Sequence, residues 1–187
     1  MKNIAIIAGG NSSEHEVSMK SGKNIYNEID ETRYNKYLVV LKERDWHVEI
    51  GEEKFPVDKN DFSFTRNGEK ILFDFAYITI HGVPGENGLL QGYLDMMGVP
   101  YGCCNVLASA LTFDKHTCNT YLKSYGVNVA DSVMLIRGMA YDVNEIINEV
   151  GLPCFVKPNA EGSSFGVTKV KEAAQLEDAL KKAFALC

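Results

Sequence analysis

Short, solid apolar runs alternate along the chain with longer stretches whose apolar residues recur at helical spacing. Lys2-Asn-Ile-Ala-Ile-Ile-Ala8 is a nearly continuous apolar run closed by Gly9-Gly10, the pattern of a strand buried on both faces of a parallel sheet. Ser13-Glu-His-Glu16 follows with capping-box spacing. Val17, Ser21, Ile25 and Ile29 then predict a helix over about 14–29. Tyr37–Leu41 predicts a second strand, while Trp46–Ile50 and Phe62–Phe64, separated by turn formers, predict a peripheral hairpin or irregular insertion. Phe75–Ile80 predicts another strand, running directly into His81-Gly-Val-Pro-Gly-Glu-Asn-Gly88. Beyond it Leu89, Leu90, Tyr93, Leu94 and Met97 share one helical face, which stops at Gly98, a helix C-terminal signal.

Val99-Pro-Tyr-Gly102 punctuates the chain and predicts a boundary near residue 103, dividing it into 1–103 and 104–187. In the second part, helices are expected at Val106–Leu111 and at Lys115–Tyr125, the latter ending at Gly126. Asp131–Ile136 reads as a strand, Asp142–Val150 as a helix, and Cys154–Lys157 as a strand halted by Pro158. Gly162-Ser-Ser-Phe-Gly166 links that strand to Val167–Val170. Glu172–Leu186 closes the sequence as an amphipathic helix with Leu176, Leu180 and Phe184 at every fourth position. Strands that alternate with helices indicate an α/β protein.

Composition narrows the class. With 19 Lys+Arg against 25 Asp+Glu the formal net charge is −6, and no basic block occurs, which argues against electrostatic nucleic-acid binding. The longest apolar stretches fall far short of a membrane span, and no signal-peptide core precedes the first strand. Cys103, Cys104, Cys118, Cys154 and Cys187 are odd in number and lack C-x-x-C spacing. They read as reduced thiols of a cytosolic protein, mostly filling the core.

Neither G-x-G-x-x-G after the first strand nor G-x-x-x-x-G-K-[ST] is present, which disfavours a dinucleotide oxidoreductase. Three other glycine segments sit after strands, where open α/β sheets bind ligands. In Gly9-Gly-Asn-Ser-Ser-Glu-His-Glu16, Glu14 and Glu16 either cap the helix or, for Glu14, present a carboxylate to a ligand ammonium. His81-Gly-Val-Pro-Gly-Glu86 places a histidine at a strand end beside two glycines, which suits a structural or a ligand-facing role alike. Lys157-Pro-Asn-Ala-Glu-Gly-Ser-Ser-Phe-Gly166 joins two predicted strands; its backbone N–H groups suit an anion nest, with the Lys157 ammonium in reach of a phosphate oxygen. Lys115, in Thr112-Phe-Asp-Lys115, is a second candidate cation.

The four segments Gly9–Ser18, His81–Gly88, Thr112–Lys115 and Val156–Gly166, in this order, resemble the D-alanine–D-alanine ligases of the ATP-grasp superfamily. Phe113, where that family usually has methionine, is the one departure. The resemblance implies a Rossmann-like pre-ATP-grasp domain followed by an incomplete ATP-grasp α+β subdomain. It implies that Glu14 holds the amino group of the first D-alanine, with Val17 and His81 beside it. Ser163 would hydrogen-bond that glutamate from a loop over the phosphates, and Lys115, Lys157, Ser163 and Ser164 would contact ATP. The implied reaction makes D-alanyl-D-alanine for peptidoglycan through an acylphosphate, with ATP, Mg²⁺ and D-alanine as small-molecule partners, in a cytoplasmic homodimer that binds neither nucleic acid nor membrane.

The same resemblance places the Mg²⁺ ligands, a transition-state arginine and the adenine clamp beyond Cys187, so no metal ligand is assigned within the chain. It also leads to the expectation that the 187 residues alone do not turn over ATP and D-alanine. Two alternatives remain: a ligase taking D-lactate as acceptor, and a non-catalytic module binding nucleotide or amino acid.

Overall fold

The computed structural model describes residues 1–186; Cys187, counted above among the thiols, lies outside the described residues. The chain divides into two compact units, Met1–Ala110 and the part from Leu111 onward.

In the first unit the buried run at the amino end forms β1 (Lys2–Gly9), followed by α1 (His15–Glu28) and β2 (Tyr34–Lys42). β3 (Asp45–Ile50), β4 (Glu53–Asp58), β5 (Ser63–Arg66) and β6 (Glu69–Leu72) continue the chain as an antiparallel meander, and β7 (Phe75–Ile78) precedes α2 (Leu89–Met97). All seven strands join one sheet in the order β6-β5-β4-β3-β2-β1-β7, with β2 and β7 both parallel to β1.

The period of two along β1 builds a three-layer sandwich. Ile6 and Ala8, with Leu38 and Val40 of β2, face Met19, Ile25, Tyr26 and Ile29 on and after α1. Ala5 and Ile7, with Val39 and Leu41, face Leu90 and Leu94 of α2 and the cluster Phe62, Phe64 and Phe73. The rings of Phe62, Phe64 and Phe73 lie 5.0–5.8 Å apart in two pairs, each pair adding about 0.5–1.5 kcal/mol beyond its buried area. The segment expected to be a peripheral insertion is therefore a sheet extension that delivers fully buried rings to the core. Its hairpin turns at Gly51 and Gly68 open into empty space.

α1 is turned slightly from the predicted face. Ser18 and Gly22 are its buried residues, whereas Val17 is 52% exposed. A Cβ on Gly22 would come within 2.6 Å of the Ala8 Cβ, so only glycine lets the helix lie this close to β1. The expected capping box at Ser13 and Glu16 does not form: Glu14 is the N-cap and makes no side-chain cap bond. The Ser12 hydroxyl takes over that role, as described below. α2 ends as expected, on a left-handed Gly98 whose N–H bonds back to Asp95 and Leu94.

The second unit contains the end of α3 (Val106–Phe113), then α4 (Lys115–Ser124), α5 (Val143–Val150), β8 (Cys154–Val156), β9 (Thr168–Val170), a 3-10 turn at Ala173–Gln175 and α6 (Leu176–Phe184). β8 and β9 form a separate two-stranded antiparallel sheet. Val170, Leu176, Ala179, Leu180 and Ile146 make its core. A capping box joins Glu172 and Gln175 ahead of α6. Asp131–Ile136, expected to be a strand, has no ladder partner among the described residues and is not one. Val133 and Leu135 pack on the core while Met134 and Ile136 are exposed, so the alternation is real without a sheet to join.

The cysteines also depart from expectation. Cys103 and Cys104 are exposed and Cys118 and Cys154 only half-buried, so of the described cysteines Cys154 alone packs against a core, that of the second unit. No helix is long and apolar enough to cross a membrane among the described residues.

Candidate functional site

In the first unit two of the predicted loops meet at the carboxyl ends of β1 and β7. Gly9 and Gly10 adopt φ of +98° and +94°, and a Cβ on Gly9 would stand 2.4 Å from the Leu41 carbonyl oxygen. The chain therefore turns sharply off β1 against β2, and the Gly10 N–H donates to the Leu41 oxygen at 2.7 Å. Buried Ser18 braces the floor of this crevice: its Oγ accepts from the Gly9 N–H and donates to the Thr79 oxygen, both at 2.9 Å. Above it, the Ser12 Oγ donates to the His81 oxygen at 2.7 Å and accepts from the Glu14 N–H at 3.2 Å. Asn11 N–H donates to the Val83 oxygen at 2.9 Å. One serine hydroxyl thus ties the start of α1 to the His81 loop. That loop is closed on itself by Glu86, whose Oε2 accepts from the Gly82 N–H at 2.7 Å.

The loops that carry Glu14 and His81 are joined in this way, with Val17 one helical turn further on and solvent-facing. The helix N-terminus beneath them is electropositive, and the Glu14 carboxylate stands at it.

The second unit holds the other candidates. Lys115, Lys157, Ser163 and Ser164 line one cleft of about 450 Å³, together with Phe155, Glu161 and Phe165. The glycine loop joins β8 to β9, as the sequence predicts. Ser163 and Ser164 sit at φ of +46° and +59° and Gly166 at +70°. Two consecutive left-handed serines are uncommon, and such turns gather backbone N–H groups into an anion-binding concavity.

Lys115 begins α4 and is held in place by the loop. Its Nζ donates to the Asn159 oxygen at 3.1 Å and the Glu161 oxygen at 2.5 Å. Partial burial, and then the nearby Lys157 ammonium, hold its pKa below the ordinary lysine value. Lys157 makes no hydrogen bond or ion pair among the described residues and is exposed. The two ammonium groups repel each other across this open cleft.

Asn159 and Asp114 lie inside two of the motifs, but spacing assigns them no role. The Asn159 Nδ2 donates to Asp114 Oδ2 at 2.6 Å, and its Oδ1 accepts from the His116 N–H at 2.9 Å. Asp114 caps α4 by accepting from the Thr117 N–H at 2.8 Å. That bond, with the Thr117 and Asn159 side chains, holds the Asp114 carboxyl below its usual range. The available signal was an Asp immediately before a predicted helix start, a standard N-cap. Its partner, 45 residues away, leaves no trace in local spacing.

Residues 3–104 match the model of the D-ala D-ala ligase N-terminus, and residues 121–186 match that of the D-ala D-ala ligase C-terminus. The chain belongs to the D-alanine–D-alanine ligase family. Among its relatives, a D-alanine–D-alanine ligase of Phocaeicola vulgatus is 56% identical over 184 residues, which cover 98% of this chain and 57% of the relative. The chain thus spans little more than half the length of the curated ligases it matches. D-alanyl-alanine synthetase A from Vibrio cholerae superposes with a TM-score of 0.87 at 29% identity, covering 99% of this chain and 56% of that one. D-alanine–D-alanine ligase from Bacillus anthracis, solved in complex with ATP, superposes with a TM-score of 0.77 at 27% identity, covering 100% and 56%. The mixed α/β architecture is that of these ligases, with the ATP-grasp fold represented in part.

Proposed function

We propose that this chain supplies the first-substrate crevice and part of the phosphate site of an ATP-dependent ligase that joins two D-alanines for peptidoglycan, by way of an acylphosphate. The observation that carries the reading is the convergence of Lys115, Lys157, Ser163 and Ser164 on one cleft beneath a left-handed turn. Two cations and a cradle of N–H donors are what a transferring phosphoryl group requires, because charge accumulates on its oxygens. The donor set fits ATP phosphates, and the ATP complex of the Bacillus anthracis relative supports that choice.

In this reading ATP supplies the phosphoryl group that activates the first D-alanine carboxylate. Lys115 and Lys157 stabilise the phosphate oxygens, Lys115 from a position fixed by two carbonyls. Ser163 and Ser164 present the turn from the other side. In the first unit the Glu14 carboxylate accepts the D-alanine ammonium, with His81 and Val17 shaping the pocket around it. Among the described residues no three His, Cys, Asp or Glu side chains gather as a group that could hold a metal ion. The acceptor is D-alanine rather than D-lactate, in keeping with the names of the relatives. Assembly as a homodimer and a cytoplasmic location belong to the same proposal.

Isothermal titration of ATP into the 187-residue chain tests the phosphate site. Loss of a charge-assisted bond of about 1.5–3 kcal/mol weakens binding by roughly tenfold or more, so Lys115→Ala and Lys157→Ala each lower ATP affinity to that extent. Glu14→Gln leaves ATP affinity unchanged and abolishes any response to D-alanine. Equal losses of both ligands in Glu14→Gln would refute the division of roles, and ATP affinity insensitive to both lysine changes would refute the phosphate site.

A further inference from the structure

The adjacent thiols Cys103 and Cys104 stand outside the cleft and the crevice. Both are exposed, and their backbone is held on either side. Ahead of them, the Gly102 N–H donates to the Ala76 oxygen of β7 at 3.0 Å, and the Ala76 N–H to the Pro100 oxygen at 2.9 Å. After them, the Cys104 oxygen accepts from the Ser109 Oγ at 3.2 Å.

Beneath the pair lies Gln91, 1% exposed. Its Nε2 donates to the Gly85 oxygen at 2.6 Å and to Cys103 Sγ at 3.3 Å, while its Oε1 is buried without a hydrogen-bond partner. A buried amide N–H aimed at a sulfur fixes where that sulfur stands. The Cys103 S–H has the Cys104 oxygen as its acceptor, at 3.4 Å. An accessible sulfur facing a fixed donor, with a second thiol on the next residue, is the arrangement of a redox-responsive pair.

We propose that Cys103 and Cys104 form a thiol-exchange site, at which a low-molecular-weight disulfide is captured by Cys103 and the adduct is resolved by Cys104. The Cys103 thiolate attacks one sulfur of the disulfide. That S–S bond breaks, a Cys103 mixed disulfide forms, and the first small thiol leaves with a proton. The Cys104 thiolate then attacks Cys103 Sγ, the mixed S–S bond breaks, and the second small thiol leaves. In sum, one small disulfide is reduced to two thiols and two protein thiols are oxidised to one bridge. Adjacent Cα atoms stand about 3.8 Å apart across a trans peptide, below the usual span of about 4.4–6.8 Å, so the bridge is strained and readily reversed. Because one Gln91 nitrogen serves both Cys103 and Gly85, oxidation of the pair is felt at the loop that carries His81.

Oxidised glutathione, applied to the chain in a Cys187→Ser background and followed by intact mass and peptide mapping, tests this. The expected product lacks two hydrogens on the peptide containing Cys103 and Cys104, and it forms faster than adducts at Cys118 or at Cys154, whose thiol burial pushes up in pKa. Cys104→Ser halts the reaction at a glutathione adduct on Cys103. Gln91→Met removes the N–H that positions Cys103 Sγ and slows that adduct about threefold. Modification of Cys103 no faster than Cys118, or absence of the Cys103 adduct in Cys104→Ser, overturns the proposal.

Discussion

Asn159 serves two segments at once: its side chain accepts from the first turn of α4 and donates to the Asp114 cap, while its backbone oxygen accepts from Lys115. Asn159→Ala leaves the cap and a helix N–H without that partner, so the second unit is expected to lose about 1–3 kcal/mol, measured by urea denaturation. The Asp114 carboxyl, held below its ordinary pKa, gives this network a pH dependence of defined sign. A group whose folded pKa is depressed stabilises above its unfolded value, about 3.9, and that contribution fades as pH falls through the folded value. Asp114→Asn should therefore flatten the acid side of the stability profile of the second unit below about pH 4. Lys115 has the opposite logic. Its pKa is lowered in the free chain, and an arriving phosphate oxygen raises it, so ATP binding takes up protons increasingly toward alkaline pH. Titration calorimetry in two buffers of different ionisation enthalpy reads that uptake, which Lys115→Arg removes because the guanidinium stays charged.

At the scale of elements, the turn off β1 and the brace under it are the most exacting parts of the first unit. Ser18→Ala strips the buried Gly9 N–H of its acceptor and should cost about 1–3 kcal/mol. Gly9→Ala should cost at least as much, since it combines positive φ with a clash against β2. Denaturant midpoints of the two variants check both values. These positions were half legible. The apolar run of β1 and the paired glycines announced a strand, a loop and a helix, because a strand buried on two faces has only one way to look. β4 and β6 stayed hidden because they carry Glu53, Lys54, Asp58, Glu69 and Lys70 at exposed positions. Pro56 further masked β4, and it sits outside the short stretch, Val57 and Asp58, that pairs with β5. Asp131–Ile136 failed in the reverse sense: its alternation was genuine, but a ladder needs a neighbour that no single segment can reveal. The cap at Ser13 failed because the adjacent Ser12 hydroxyl has the His81 carbonyl to bond as well.

For the molecule as a whole, the site loops were legible through their glycines and lysines, whereas the long-range partners that hold them, Asn159 for Lys115 and Gln91 for Cys103, were not. The two units have separate cores, and the second is smaller, with Phe155 61% and Ile136 57% exposed. Calorimetry is accordingly expected to show two transitions, the lower one shifted by Asn159→Ala and untouched by Ser18→Ala. A single transition moved equally by both would contradict independent units.

The pairing registers also give the first unit two unlike ends. β2 and β1 finish at the crevice, so the hairpin tip at Gly51, reached by running back along β3, lies at the opposite end of the sheet and meets open space. A peptide tag or surface tether spliced into this tip would hold the molecule by the end away from the crevice, which makes the Gly51 turn a natural attachment point for biosensor or single-molecule work.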